Sequence, residues 1–255
     1  MTQSLPEAFL RLPIAHRAYH DLASGRPENG PSAIAAAVAA GYAIEIDLQM
    51  SADGQALVFH DYDLDRLTAE QGPVSALTAR AATALPLAGG APDDLVPTLG
   101  QVLDQVAGRV PLLIELKDQS RTSGTGPLEA ATAAVLAGYA GPVAVMSFNP
   151  DQVAEMARLA PDVPRGLTTC AFDPADWPLD DATCARLRAI ADAERVGASF
   201  ISHHHTDLDR PRVAELRDAG LAVFCWTIRS PAEEAAARRV AHNITFEGYA
   251  AALPG

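Results

Sequence analysis

The sequence predicts a (β/α)₈ barrel, because three of its features agree on that fold. Short apolar runs with the character of β-strands alternate with helical segments, which is typical of a parallel sheet with crossover helices. The chain has 255 residues, and such barrels typically have about 250. Charged residues recur at the ends of several apolar runs, and the cost of burying a charge indicates that they share one polar cavity.

Nine apolar runs are predicted to form strands. They begin near Leu12, Tyr42, Ala56, Pro111, Pro142, Arg165, Ala198, Leu221 and Asn243. A barrel has eight positions, but the third run follows the turn signal Ala52-Asp53-Gly54. We therefore expect that run to extend the second strand or to pair with it in an antiparallel manner.

Seven segments between most of these strands have helical spacing. They are residues 31–40, 99–107, 128–139, 151–159, 181–196, 211–219 and 231–240. Residues 61–97 break the alternation, since they hold no clear strand and include a predicted loop at 86–92. We expect one domain over residues 1–255, with an insertion at about 61–97 over the barrel mouth.

Two of the predicted strands carry charges on one face. Side chains on a strand alternate between its faces, so Glu45 shares a face with Asp47, and Glu115 shares one with Lys117. In a closed barrel the apolar faces meet the helices and the charged faces meet the mouth of the lumen. Together with a histidine and arginine after the first run and a histidine after the third, this set suits a hard cation, an acid/base pair and an anionic substrate.

Composition excludes some classes of function. A net charge of −13 argues against sequence-independent nucleic-acid binding, which needs a basic surface. No run reaches the roughly 20 apolar residues of a membrane span, and Met1–Pro13 lacks the pattern of a secretory signal. Three cysteines without Cys-x-x-Cys spacing fit reduced thiols. We expect a cytoplasmic protein, and its oligomeric state stays open.

The order and spacing of several short motifs resemble the glycerophosphodiester phosphodiesterase family over nearly the whole chain. The motifs are Ala15-His16-Arg17, Pro27-Glu28-Asn29, Ile44-Glu45-Ile46-Asp47, Asp53-Gly54, Phe59-His60-Asp61, Leu64-Asp65-Arg66-Leu67-Thr68, Gly72-Pro73-Val74, Pro97-Thr98-Leu99, Ile114-Glu115-Leu116-Lys117, Ser147-Phe148-Asn149 and Cys225-Trp226-Thr227-Ile228. The resemblance implies a TIM barrel with a small insertion after the second strand. It also implies a divalent cation, usually Mg²⁺ or Ca²⁺, and hydrolysis of glycerophosphodiesters to glycerol 3-phosphate and an alcohol.

The resemblance also implies roles for individual residues. Glu45, Asp47 and Glu115 match metal-binding carboxylates, and all-oxygen ligands suit a hard cation better than Zn²⁺. His16 and His60 match the general acid/base pair. The residues that match substrate-binding groups are Arg17 and Lys117 at the phosphate and Trp226 near the glycerol. Further candidates for support or specificity are Glu28, Asn29, Phe148, Phe172, Trp177, His203 and Arg229.

The chain departs from the family pattern at four places. Ala18 stands where Gly or Ser is usual, and Arg229 replaces the usual Asn. The loop from His16 to Glu28 is longer than usual and contains Tyr19, His20 and Arg26. The last strand usually ends in Thr-Asp-x-Pro, whereas here Thr245 is followed by Phe-Glu-Gly-Tyr. We expect these departures to affect the choice of alcohol rather than the chemistry.

Other interpretations stay open at this point. An apolar channel lined by Phe172 and Trp177 would favour lysophospholipids as substrates of a phospholipase D-type enzyme. Lys117 on a barrel strand would also fit a Schiff-base aldolase, and a non-catalytic binding protein is compatible with the fold. The run His203–His205 is predicted to be a solvated loop rather than a metal site, because adjacent residues on a strand cannot all face one ion. His203 alone could reach the mouth.

Overall fold

Nine strands form one sheet in the computed structural model, which describes residues 4–120 and 122–254. They are β1 (Ile14–Ala15), β2 (Ala43–Met50), β3 (Ala56–Val58), β4 (Leu112–Leu116), β5 (Val143–Ser147), β6 (Arg165–Thr169), β7 (Phe200–His204), β8 (Ala222–Ile228) and β9 (Asn243–Phe246). The spatial order is β1-β9-β8-β7-β6-β5-β4-β2-β3, and pairing of β1 with β2 closes the ring. Eight of the strands are parallel, which confirms the predicted TIM barrel.

β3 stands outside the ring of eight. It pairs antiparallel with β2, with Leu48 opposite Val58, which decides between the two arrangements expected for the third run. The chain after β3 packs around an apolar cluster of its own, formed by Leu57, Phe59, Leu64, Leu67, Val74, Ala82, Leu87 and Val96. This cluster anchors the segment that begins with His60 at the rim of the barrel.

One α-helix precedes β1, and the others lie between the strands along the chain. They are α1 (Ala8–Arg11), α2 (Pro31–Ala40), α3 (Ala79–Ala82), α4 (Leu99–Val106), α5 (Pro127–Leu136), α6 (Pro150–Leu159), α7 (Asp181–Arg188), α8 (Pro211–Asp218) and α9 (Pro231–Ala237). Five of them begin with proline, whose fixed φ and missing N–H suit the first turn. In the described residues, none of the helices has the length and apolar composition that crossing a membrane requires.

The predicted helices are present, with one clear difference in extent. The helix expected over residues 181–196 ends at Arg188, because Ile190 adopts a left-handed φ of 46° that does not continue a right-handed helix. α1 and α3 were not predicted, since four residues are too few to produce a periodic pattern.

The core has two layers on opposite sides of the sheet. Ile44, Ile46 and Leu48 pack outward against α4 and the other helices in the larger cluster. A smaller cluster fills the lumen and is formed by Phe9, Ile14, Ala43, Leu113, Ala144, Met146, Phe200 and Phe224. The same alternating faces continue from Ala43 to Glu45 and Asp47, and from Leu113 to Glu115. The apolar cluster in the lumen therefore lies directly below the charged residues along β2 and β4.

Substitution of Gly166 tests the close packing of the apolar cluster in the lumen. A Cβ atom at Gly166 would lie 2.4 Å from the ring of Phe200, which is too close for any side chain. We expect Gly166→Ala to lower the free energy of unfolding by about 1–3 kcal/mol through overpacking, as measured by urea denaturation. Gly138→Ala is the control, because nothing lies within 4 Å of a Cβ atom there. Equal stability of the two variants would contradict the packing described.

Candidate active site

Three carboxylates converge at the carboxyl ends of β2 and β4. Asp47 and Glu115 are direct partners in the register of these two strands, and Glu45 precedes Asp47 on the same face. Each of the three offers an oxygen atom, and these atoms lie within 4.8 Å of one another. All three side chains are buried. The structure thus brings together the three carboxylates that the sequence singled out.

Two cations accompany these carboxylates. The Lys117 ammonium lies 2.7 Å from Asp47 Oδ1 and 2.6 Å from Glu115 Oε1. The Arg17 guanidinium donates to Glu28 Oε1 at 2.8 Å and lies 3.8 Å from Asp47. Burial alone would lower the pKa of Lys117, but the two carboxylates raise it above its usual value. An ammonium held between two carboxylates is a poor nucleophile, so this geometry argues against the Schiff-base aldolase.

The carboxylates differ in how easily they hold their charge. Burial, together with repulsion from Asp47 and Glu115, raises the pKa of Glu45 well above its usual value. Burial would raise the pKa of Asp47 as well, but Lys117, His60 and Arg17 lower it. Asp47 therefore keeps its negative charge more readily than Glu45 does.

The two histidines each hydrogen-bond to a carboxylate through Nδ1. His16 Nδ1 lies 2.5 Å from Glu247 Oε2, and His60 Nδ1 lies 2.7 Å from Asp61 Oδ1. Burial lowers the pKa of His16. Burial and then Lys117 lower the pKa of His60 to about 4. Both imidazoles are therefore neutral near pH 7 in the protein as it stands, and Nε2 is the ring atom left for a ligand.

Residues 28 and 29 support the site from a loop. Glu28 accepts hydrogen bonds from Arg17 and, through both oxygens, from Arg66. Asn29 has a left-handed φ of 58° and donates from Nδ2 to Asp47 Oδ2 at 2.9 Å. Asparagine tolerates this conformation better than most residues. The loop therefore fixes Arg17 and one oxygen of Asp47.

Aromatic side chains form one wall of the mouth. The Phe148 ring lies 5.3 Å from Trp177, 5.6 Å from Trp226 and 6.2 Å from Phe172, measured between centroids. A cleft of about 470 Å³ is lined by residues that include His60, Lys117, Phe148 and Trp177. Three of the predicted support or specificity residues, Phe148, Phe172 and Trp177, thus lie together with the predicted substrate-binding residue Trp226 beside the charged cluster.

His203 does not join this mouth, and the expectation of a solvated loop at residues 203–205 is wrong. His203 and His204 belong to β7, and alternation turns them to opposite faces. His203 is fully buried, with its Nδ1 2.8 Å from Thr169 Oγ1 and its Nε2 3.2 Å from Asp207 Oδ2. His204 is the member near the mouth, 4.8 Å from the Trp226 ring.

Two carboxylates that hold the histidines, Asp61 and Glu247, were not predicted in that role. Asp61 follows His60 directly, and Arg66 pairs with it at 2.7 Å. Glu247 pairs with His16 across 231 positions of the chain. One signal for Glu247 was available in the sequence. Side chains alternate along β9, so Glu247, just after the strand, lies on the same lumen-facing side as Asn243 and Thr245.

The chain is similar to known proteins over most of its length. The model of the "Glycerophosphoryl diester phosphodiesterase family" matches residues 16–243. The Bacillus subtilis (strain 168) protein named "Putative glycerophosphodiester phosphodiesterase YhdW" is 29% identical over 225 residues, which cover 85% of this chain and 86% of that protein.

Solved structures share the fold. An Oleispira antarctica phosphodiesterase, in complex with the product sn-glycerol-3-phosphate, has a TM-score of 0.76 at 22% identity, covering 92% of this chain and 93% of that one. The glycerophosphodiester phosphodiesterase from Agrobacterium tumefaciens str. C58 has a TM-score of 0.67 at 25% identity, covering 96% of both chains. With a family match over most of its length, the chain belongs to the glycerophosphoryl diester phosphodiesterase family.

Proposed function

We propose that this enzyme is a divalent-cation-dependent phosphodiesterase that hydrolyses small glycerophosphodiesters to glycerol 3-phosphate and an alcohol. The observation that carries the proposal is the convergence of Glu45, Asp47 and Glu115 beside two carboxylate-paired histidines. Membership of the family supports the reaction class. The residues described below supply each group that the reaction needs.

The three carboxylates fit a hard divalent cation such as Mg²⁺ or Ca²⁺. Their donor atoms are all oxygen, which these ions prefer and Zn²⁺ does not. Burial, together with repulsion among the three carboxylates, raises the pKa of Glu45, and a bound cation would relieve that repulsion. The chemistry that such an ion supplies when bound is polarisation of a phosphoryl oxygen and neutralisation of developing charge.

Protein groups bind the phosphate and move the protons. Arg17 and Lys117 are cations at the edge of the carboxylate cluster, where they can bind phosphate oxygens, Arg17 in a bidentate manner and Lys117 as a point charge. His16 and His60 act as general acid and base through Nε2, since Nδ1 of each is engaged. One takes a proton from the nucleophile, either water or the neighbouring glycerol hydroxyl, and the other protonates the departing alcohol oxygen.

We assign the outer cleft to the alcohol that leaves. Phe148 and Trp177 line it together with Asp63, Asp65 and Asp118. A flat aromatic face attracts a cation, and three carboxylates at the same cleft favour a positive group. Trp226 is assigned to the glycerol end and Phe172 to support of the aromatic wall. We assign to the insertion at 61–97 the positioning of His60 and of the cleft residues Asp63 and Asp65.

The first prediction concerns the cation. Glu45→Gln, Asp47→Asn and Glu115→Gln should each lower both cation affinity and turnover, turnover by at least about 100-fold, because the ion's charge stabilisation is lost. Calorimetry with Mg²⁺ or Ca²⁺ and release of glycerol 3-phosphate measure the two effects. Glu155→Gln, on an outer helix, is the control and should match the native enzyme. Full activity after exhaustive EDTA treatment would refute the cation's role.

The second prediction concerns the histidines. His16→Ala and His60→Ala should each lower kcat by about 10²–10⁴-fold, the usual contribution of a general acid or base, while the far-ultraviolet circular dichroism stays native. His242→Ala is a control, since His242 bonds to the backbone of β8 away from the site. Near-native kcat in either active-site variant would show that the pairing is wrong.

The third prediction concerns the alcohol. Trp177→Ala should lower kcat/KM for glycerophosphocholine by about 2- to 30-fold more than for glycerophosphoglycerol, the range that cation–π attraction of about 0.5–2 kcal/mol allows. Leu179→Ala, an exposed position in the same loop, is the control. An equal fall for both substrates would contradict the assignment. Faster hydrolysis of lysophosphatidylcholine than of either would instead favour a lipid phosphodiesterase.

A further inference from the structure

Three departures from the family pattern meet beside His16. His20 belongs to the lengthened loop, Arg229 follows β8 and Glu247 follows β9. In the structure all three surround one carboxylate: Glu247 lies 2.7 Å from the Arg229 guanidinium and 3.6 Å from His20 Nε2, in addition to its 2.5 Å bond to His16. Residues that the sequence linked to the choice of alcohol are therefore engaged with a histidine of the site.

The barrel itself fixes the geometry of the His16–Glu247 pair. The backbone N–H of His16 donates to Phe246 O at 2.9 Å, and that of Glu247 donates to Ile228 O at 3.0 Å. Both residues thus sit at the end of the strand pairings that close the ring between β1, β9 and β8. Their side chains are only 16% and 19% exposed, so little water competes for the bond between them.

The two oxygens of Glu247 have separate partners. Oε1 lies 2.7 Å from the Arg229 guanidinium in an ion pair, and Oε2 faces Nδ1 of His16. The hydrogen bond to His16, followed by the contact with His20, lowers the pKa of Glu247, so this group is an ionised carboxylate that only accepts hydrogen bonds. His16 must then carry its hydrogen on Nδ1, which leaves the lone pair of the neutral ring on Nε2.

We propose that Glu247 is a positioning residue that holds His16 in the Nδ1–H tautomer, with Arg229 holding Glu247 in turn. The inference rests on the proposed acid/base role of His16. With Nδ1 fixed, Nε2 is the atom that gains and releases the proton, and the carboxylate stabilises the imidazolium that forms. His60 has a matching arrangement, since Asp61 bonds its Nδ1 and Arg66 bonds Asp61. Each histidine thus hydrogen-bonds to a carboxylate, which in turn pairs with an arginine.

The test is Glu247→Gln, which keeps the size of the side chain but provides an amide that can either donate or accept. We expect kcat to fall by about 10–100-fold, the usual cost of losing such a partner, while KM stays within about twofold because substrate groups are untouched. ¹⁵N NMR of histidine-labelled enzyme, with His16 assigned by a His16→Gln variant, should change from the Nδ1–H tautomer to a mixture. Glu215→Gln, which removes an exposed surface ion pair with Arg212, should change neither readout.

The outcomes separate this inference from the proposed function. If Glu247→Gln keeps kcat within twofold of the native enzyme and His16 keeps its Nδ1–H tautomer, the positioning role is refuted. If His16→Gln itself keeps native kcat, the acid/base role fails, whereas the tautomer measurement still tests the pair without reference to activity. Should the melting temperature show that Glu247→Gln is unfolded, Glu247→Asp replaces it, because a side chain shorter by one methylene cannot keep the 2.5 Å contact.

Discussion

Three carboxylates packed into one barrel mouth repel one another, and their low-dielectric surroundings strengthen that repulsion. Glu45, Asp47 and Glu115 are all buried, so each must be compensated where it lies. Lys117 between two of them, the backbone N–H of Arg17 on Glu45 at 2.8 Å and Asn29 on Asp47 supply part of that compensation. Much of the local structure follows from this need, including the left-handed conformations of Arg17 and Asn29, which orient these donors.

The same charges influence the protonation of the two histidines proposed as general acid and base. Lys117 has two effects. It neutralises carboxylates, and, after burial, it is the main group that lowers the pKa of His60. A site built from carboxylates alone would raise that pKa instead, and the histidine would hold its proton. Asp61 and Glu247 each hydrogen-bond to Nδ1 of a histidine ring, which orients the imidazole without occupying Nε2. The carboxylates proposed to bind a cation are thus separate from the carboxylates that orient the histidines proposed to move protons.

Prediction from sequence succeeded where one strand or one turn determines the outcome. Alternation along β2 and β4 was enough to put Glu45, Asp47, Glu115 and Lys117 in the lumen. It failed where the result depends on distant pairing: Glu247 reaches His16 only because β1 and β9 close the barrel. The histidine run looked like a solvated loop, since sequence could not show that Thr169 and Asp207 would satisfy a fully buried His203. The early end of α7 likewise depends on the backbone of Ile190.

The central claim is that the carboxylate cluster binds a divalent cation. Anomalous diffraction from crystals soaked in Mn²⁺ tests it most directly, because it locates the ion independently of activity. The account predicts one dominant peak among the oxygens of Glu45, Asp47 and Glu115. A second group of ligand atoms, from His16, His20 and Glu247, also lies within 4.8 Å of one another. There, however, Arg229 already balances the charge of the Glu247 carboxylate. A dominant peak there, or none at the carboxylate cluster in crystals that still hydrolyse substrate, would contradict the account.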